Sequence, residues 1–196
     1  MSELRRKVLD AAVELVAEQG VRSVSFREVA RRASVSHQTP YHLFSSAQGI
    51  LRAIAQEGFE SLTQQMREAG KQAGPDPMRS LEASGVAYVK FARKHLGHFR
   101  VMFQGSLVNI HDPAHPMAEA EKTHGTLVDF VAAAHRAGYG SSMPVEIMTL
   151  LCWSTVHGLA ELIVENTLSK QGAIDPDAMT QATVGALAQL LKGSHR

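Results

Sequence analysis

Apolar residues recur three and four positions apart along almost the whole chain, and no stretch alternates apolar with polar residues as a half-buried strand would. Val8, Ala12, Leu15 and Val16 make the first helical stripe, and Gly20 ends it. "SFREVARRA" reads as a short second helix. Its Ser25 and Glu28 have the spacing of a capping box, and Phe26, Val29 and Ala30 turn inward. "SVSHQTPYHLF" reads as a third helix despite Pro40, which lacks a backbone N–H. If Ser36 caps it, Pro40 forfeits one intrahelical bond; if it begins at Gln38, Pro40 falls in the first turn, where no donor is needed. Ser45 and Gln48 form another capping box, which opens a long helix from about Ala47 to Ala69.

The Gly- and Pro-rich run from Gly70 to Pro77 is the clearest break. Helices are then expected over Met78–His95, His98–Phe103, Met117–Ala137, Pro144–Leu168 and Asp177–Lys192, with a loop over Asn109–Pro116. The fold class expected is all-α, with about nine helices. Residues 1–46 form a three-helix module with a helix-turn-helix arrangement, and residues 47–196 form a larger helical body.

Charge sharpens that division. Across 196 residues, 20 basic against 19 acidic side chains leave a net charge of only +1. Residues 1–52, however, carry eight Arg or Lys against five acids. A modestly basic module on a slightly acidic body is where a polyanion would dock. Cys152 is the only cysteine, so no internal disulfide forms, and a reducing compartment fits. Asp10, Glu14 and Glu18 interrupt the N-terminal apolar stretch, which is therefore no signal segment. No apolar run was expected to approach the ~20 residues of a membrane span. A cytoplasmic location is the expectation.

The start of the third helix suits DNA chemistry. His37, Gln38, Thr39, Pro40, Tyr41 and His42 stand where a helix entering the major groove presents its first residues. Gln pairs with adenine in bidentate fashion, Thr offers a hydroxyl and a methyl, and Tyr and His bond phosphates. The Pro40 ring could touch a thymine methyl, and Arg27 projects from the preceding helix. The competing reading is a small helical bundle with an ordinary polar surface.

Residues 5–54 resemble the DNA-binding domain of the TetR family of bacterial regulators. The resemblance is carried by Ala11, Ala12, Leu15, Gly20, Ser25-x-Arg27-x-Val29-Ala30, Val35-Ser36 and Thr39-x-Tyr41-His42-x-Phe44. It implies a homodimer on a near-palindromic operator. Ser25 and Arg27 would then contact the DNA backbone or a base, and Ser36, Thr39, Tyr41 and His42 would clamp phosphates. Three positions depart from the family pattern. Ser34 replaces a turn Gly, Gln38 replaces a Gly after the cap, and Ala47 replaces a phosphate-binding Lys. Binding is accordingly expected to rest more on His37, His42, Arg27 and the N-terminal Arg5, Arg6 and Lys7.

A second resemblance lies in the body. "YVKFARKHLGHFRVMF" and Trp153-x3-His157-Gly158 are similar to the WHG-type ligand-binding domain of one TetR subfamily, with Gly97 where Pro is common. Phe99, Met102, Phe103, Phe130, Met148, Trp153 and His157 are the candidate lining of an apolar ligand pocket, and spacing alone leaves core and pocket wall undivided. Trp153 and His157 share a helix face with Glu161, so simple core packing competes with ligand contact. The last two helices are expected to build the dimer, the final one through Ala182, Gly185, Ala186, Leu187, Leu190 and Leu191.

Other chemistry finds little support. His111, His115 and His124 could be imagined around zinc, but a solvated loop explains them, and only one Glu-x-x-His pair exists where a di-iron bundle needs two. Cys152 has no base on its face of the helix, and no phosphate loop or dinucleotide fingerprint is present. The expectation is a transcriptional regulator, a repressor released from its operator by a small apolar ligand, with no cofactor, metal or enzymatic activity. The alternative is a helical carrier or enzyme that uses the body's pocket without specific DNA binding.

Overall fold

The computed structural model describes residues 2–104, 117–167 and 175–193. Among these residues there are nine α-helices, one 3₁₀ turn and no strand. Helix α1 spans Glu3–Gln19, and the 3₁₀ turn spans Val21–Ser23. Then follow α2 (Phe26–Arg32), α3 (Thr39–Leu43), α4 (Ala47–Gln72), α5 (Pro77–Lys94) and α6 (Leu96–Met102). The last three are α7 (Ala118–Arg136), α8 (Val145–Val164) and α9 (Pro176–Gly193).

The chain divides into two compact units. The first joins Met1–Glu60 with His95–Ala120, and the second joins Ser61–Lys94 with Glu121–Arg196. Helix α4 belongs to the first up to Glu60 and to the second from Ser61. Helix α6 belongs with the N-terminal helices. The units therefore divide the chain elsewhere than at residue 46.

In the first unit the expected stripe of α1 is the core. Val8, Leu9, Ala12, Leu15 and Val16 are fully buried, with Val29 from α2 and Ile50 and Ile54 from α4. The Ser2 hydroxyl accepts from the Arg5 N–H and caps α1, and Gly20 ends the helix at φ 82°. In the second unit α5 packs against α8 and α9, and these two also meet each other. Met78, Val89, Phe91, Val131, Met148, Ala160 and Leu191 are among its buried residues.

Three boundaries move from their sequence expectation for identifiable reasons. Ser46, not Ser45, caps α4: its hydroxyl accepts from the Gly49 N–H at 3.0 Å. Gly70 does not end α4. It lies inside the helix, where an added Cβ would come within 2.5 Å of the Phe130 ring, so glycine here permits a close approach and the helix runs on to Gln72. Helix α6 begins at Leu96, two residues early, and carries Gly97 in its first turn.

Helix α8 corrects another expectation. By length and composition it is apolar enough to cross a membrane, with mean hydropathy 1.6. It is apolar on two sides. Met148, Cys152, Val156 and Ala160 are buried, while Ile147, Leu150, Leu151 and Leu162 are exposed. A membrane span is one explanation of such a helix, and a core helix with a second docking face is another.

Candidate nucleic-acid interface

Helices α2 and α3 are joined by a turn whose geometry the sequence makes costly. Ser34 takes φ 53°, the left-handed region that glycine enters freely and a side chain enters at about 1–2 kcal/mol. The Val35 N–H then returns to the Ala30 carbonyl at 3.1 Å and closes the end of α2. At the other end, the Ser25 hydroxyl accepts from the Glu28 N–H at 3.3 Å. Only half of the expected capping box forms, because the Glu28 carboxylate pairs with Arg31.

The third helix starts late. Gln38 is its N-cap and makes no side-chain cap bond, and Thr39 is its first residue. Ser36 does not cap it. Its carbonyl accepts from the Thr39 N–H at 2.9 Å, and its hydroxyl meets the Thr39 hydroxyl at 2.8 Å. Pro40 is thus the second residue, where its missing N–H has no partner to lose, and the first intrahelical bond runs from His42 N–H to Gln38. Pro40 is also buried. Its ring faces the interior, so the expectation that it reads a thymine methyl is corrected: interior packing is its role.

The remaining candidates form an exposed set. Ser25, Arg27, Ser36, His37, Gln38, Tyr41 and His42 are exposed, and Thr39 is half-buried. Tyr41 is 52% exposed yet braced, its ring edge-on to Phe26 at 4.3 Å and 5.6 Å from His37. Phe26 was read as core from its spacing. It is half-buried, and its support of Tyr41 was not foreseen.

Ion pairs sort the basic residues. Arg6 holds Glu57 through two 3.0 Å bonds and Asp10 at 2.8 Å. Lys7 pairs with Glu3, Arg31 with Glu28, and Arg32 with Glu18. Arg31 holds the Glu28 carboxyl, and Arg32 the Glu18 carboxyl, below the usual carboxylate range by direct hydrogen bonds. Arg6 and Lys7 are therefore engaged within the unit, contrary to the expectation that they would lead phosphate binding. Arg27 makes no ion pair among the described residues. Arg5 lies 5.0 Å from the Phe44 ring centre, a stacking that holds its guanidinium near α3.

Helix α6 is fastened to α1. A Cβ on Gly97 would fall 2.3 Å from the Val13 carbonyl oxygen, so only glycine allows this approach. Arg100 donates to the Ala17 carbonyl at 2.9 Å, at the carbonyl-rich end of α1. His98 lies 3.8 Å from Glu57, and burial holds its pKa down against the field of that carboxylate. This arrangement places three pocket candidates. Phe99 and Met102 are fully buried in the first unit, and Phe103 packs edge-on to Phe59 and Phe99 at 5.8 and 5.3 Å.

The other four candidates lie in the second unit. Met148 is fully buried, and Phe130 is half-buried over Gly70. Trp153 and His157 are half-buried, and both turn toward Tyr88 of α5. The Tyr88 hydroxyl stands 2.8 Å from His157 Nδ1, and the Trp153 side chain also bonds to Tyr88. Tyr88 carried no role in the sequence reading; an aromatic hydroxyl inside an apolar stripe was the signal that pointed to it. Cys152 is buried, which pushes its thiol up to about 11 and leaves it protonated at neutral pH. No three His, Cys, Asp or Glu among the described residues could hold a metal. His111 and His115 lie outside the described residues, and His124 packs against Trp153 at 5.9 Å.

Comparison with known proteins agrees with this geometry. Residues 8–54 match the bacterial regulatory proteins of the tetR family, and residues 81–187 match the tetracyclin repressor-like C-terminal domain. The uncharacterized HTH-type transcriptional regulator YobS of Bacillus subtilis (strain 168) is 25% identical over 169 residues, covering 85% of this chain and 82% of that one. A Rhodococcus sp. RHA1 protein of unknown function superposes with TM-score 0.78 at 29% identity, covering 97% and 96% of the two chains. A tetR-family regulatory protein from Rhodococcus RHA1 superposes with TM-score 0.76 at 19% identity, over 97% and 98%. With a helix-turn-helix that exposes its polar residues and both halves of the chain matched, this protein belongs to the TetR family of DNA-binding transcriptional regulators.

Proposed function

We propose that the protein is a repressor that binds a near-palindromic operator as a homodimer and leaves it when a small apolar molecule binds. The observation that carries the DNA half is the exposed set on α2 and α3, with Tyr41 held edge-on by Phe26 at 4.3 Å. An exposed aromatic ring with a fixed orientation needs little ordering on binding. Gln38 and His37 flank it with donors and acceptors for base edges, while Ser25, Ser36, Thr39 and His42 suit phosphates. A cytoplasmic location follows from that role.

The pairing half rests on α8 and α9. Ile147, Leu150, Leu151 and Leu162 on α8 and Leu190 on α9 are 40–72% exposed. Added Cβ atoms on Gly158 and Gly185 would meet nothing within 4 Å, which leaves flat ground for another helix. A second copy of the chain is the occupant we assign, because a two-fold operator favours a two-fold protein. Leu191 was expected on that face, but it is 2% exposed and belongs to the core.

The effector reading favours the half-buried rings of Phe130 and Trp153. Phe99, Met102 and Met148 already fill cores. A ligand with equal affinity for both states would shift nothing, so the effector must favour the conformer whose recognition helices miss successive major grooves. The test is an electrophoretic shift with the promoter beside the protein's own gene, repeated across a salt series. A specific complex that weakens steeply with salt is expected. No specific complex, or affinity flat in salt, sinks the DNA reading. Trp153, the only tryptophan, makes effector binding readable as a fluorescence change.

A further inference from the structure

Trp153 and His157 lie four residues apart on α8, on the same side of the helix, at the border between its buried and exposed faces. Both reach the hydroxyl of Tyr88 on α5, which is 4% exposed. The donor pattern can be worked out. An indole N–H only donates, so the Tyr88 oxygen accepts from Trp153. The hydroxyl proton then points to His157 Nδ1 at 2.8 Å, and Nδ1 is an acceptor. That makes His157 the neutral Nε2–H tautomer, with Nε2 toward Glu161 at 3.9 Å.

We propose that Tyr88, Trp153 and His157 form a clasp that fixes the rotation of α8 on α5, so presenting the exposed α8 face to a second copy, and that protonation of His157 releases it. The role is positional. Gly158 and Leu162, one and five residues beyond His157, belong to the face assigned above to pairing, so this inference rests on the homodimer reading. An imidazolium has an N–H at Nδ1 and no lone pair there. The Tyr88 proton would lose His157 as its acceptor, and a charge would stand in a half-buried site.

The groups around His157 set the direction. Burial holds its pKa down, opposed by the field of Glu161 on its own helix. Tyr88 faces it from α5, and His124 of α7 stands on the other side of Trp153. On α9 the charged groups are paired elsewhere, Asp177 with Arg93 and Lys192 with Glu82. The clasp is therefore closed at neutral pH and opens as pH falls below about 6.5.

The test uses the full chain and two readouts. Side-chain NMR, assigned with His157→Gln, should show His157 as the Nε2–H tautomer with a midpoint below 6.5, and Tyr88→Phe should raise that midpoint. Sedimentation velocity from pH 8 to pH 5 should show wild-type pairing weakening along the His157 titration. His157→Gln accepts from Tyr88 but cannot protonate, so it should hold its pairing at low pH. Tyr88→Phe should pair roughly tenfold more weakly at pH 8, one buried hydrogen bond being lost per subunit. An ordinary His157 midpoint unmoved by Tyr88→Phe overturns the clasp. A pH-independent wild-type dimer overturns its link to pairing. A wild-type monomer at pH 8 overturns the homodimer reading, and the link with it, while the NMR result still decides the clasp.

Discussion

Replacing Gly97 with Ala tests how tightly α6 is held to α1. In an open helix the change gains about 1 kcal/mol, because Ala has less backbone entropy to lose. Here the new methyl would stand 2.3 Å from the Val13 carbonyl oxygen, 2.9 Å from Val13 Cγ1 and 3.1 Å from the Val13 carbonyl carbon. Real Cβ contacts stay beyond 3.0 Å, so the helices must part by at least 0.7 Å (3.0 − 2.3). The obstacle is backbone, so no rotamer change removes it. Parting the helices also loosens Phe99, Val101 and Met102, which are buried on α6. Overpacking of this kind costs about 1–3 kcal/mol, and the backbone contact argues for the upper end. After the propensity gain the net loss is about 2 kcal/mol, or roughly 4–8 °C in Tm for a chain of this length. Gly125→Ala is the control, since its Cβ would meet nothing within 4 Å, and it should gain up to about 1 kcal/mol. Thermal unfolding followed by circular dichroism reads both. A Gly97→Ala protein as stable as wild type or more so refutes the close-approach argument.

Other substitutions separate fold from function. Tyr41→Ala removes an exposed ring, so Tm should move by only a few degrees while operator affinity falls about tenfold in an anisotropy titration. Arg6→Met should cost about 1–2 kcal/mol in urea unfolding, since it strands the half-buried Glu57 carboxylate. His98 and His157 are both held below the ordinary histidine value, His98 by burial against Glu57 and His157 by burial against Glu161. The unfolded chain therefore binds more protons, and stability should be full above about pH 6.5 and fall as pH drops through the folded midpoints; urea midpoints from pH 8 to pH 5 check this. Leu150→Glu puts a charge on the 56%-exposed centre of the α8 face, and light scattering should report a folded monomer in place of a dimer.

The sequence announced the helices through their apolar period, and the polar face of the recognition helix through short motifs. It could not show which glycines stop a helix and which admit a neighbour. Gly20 ends α1, whereas Gly70 and Gly97 sit inside helices and face Phe130 and Val13, partners 60 and 84 residues away in the chain. Charge counting exposed the basic bias of the first module but not the pairing of Arg6 with Glu57, because those residues lie 51 apart. Aromatic and Met positions on α6 looked like a pocket wall because the spacing of a core residue and of a wall residue is the same. Only packing assigns Phe99 and Met102 to the first unit's interior. Pro40 looked like a base reader because it stands among polar readers, and its burial becomes visible only once α3 is placed. The Trp153 and His157 pair was legible as one helix face. Their shared partner was not, because Tyr88 lies 69 residues before His157.

The central claim is sequence-specific, two-fold DNA recognition, and selection from a pool of random duplexes tests it most directly. The account predicts enrichment of inverted half-sites whose centres lie one helical turn apart or a multiple of it, roughly 34–36 Å per turn, with enrichment lost in the Tyr41→Ala protein. A pool that stays random, or that enriches equally with Tyr41→Ala, would contradict it.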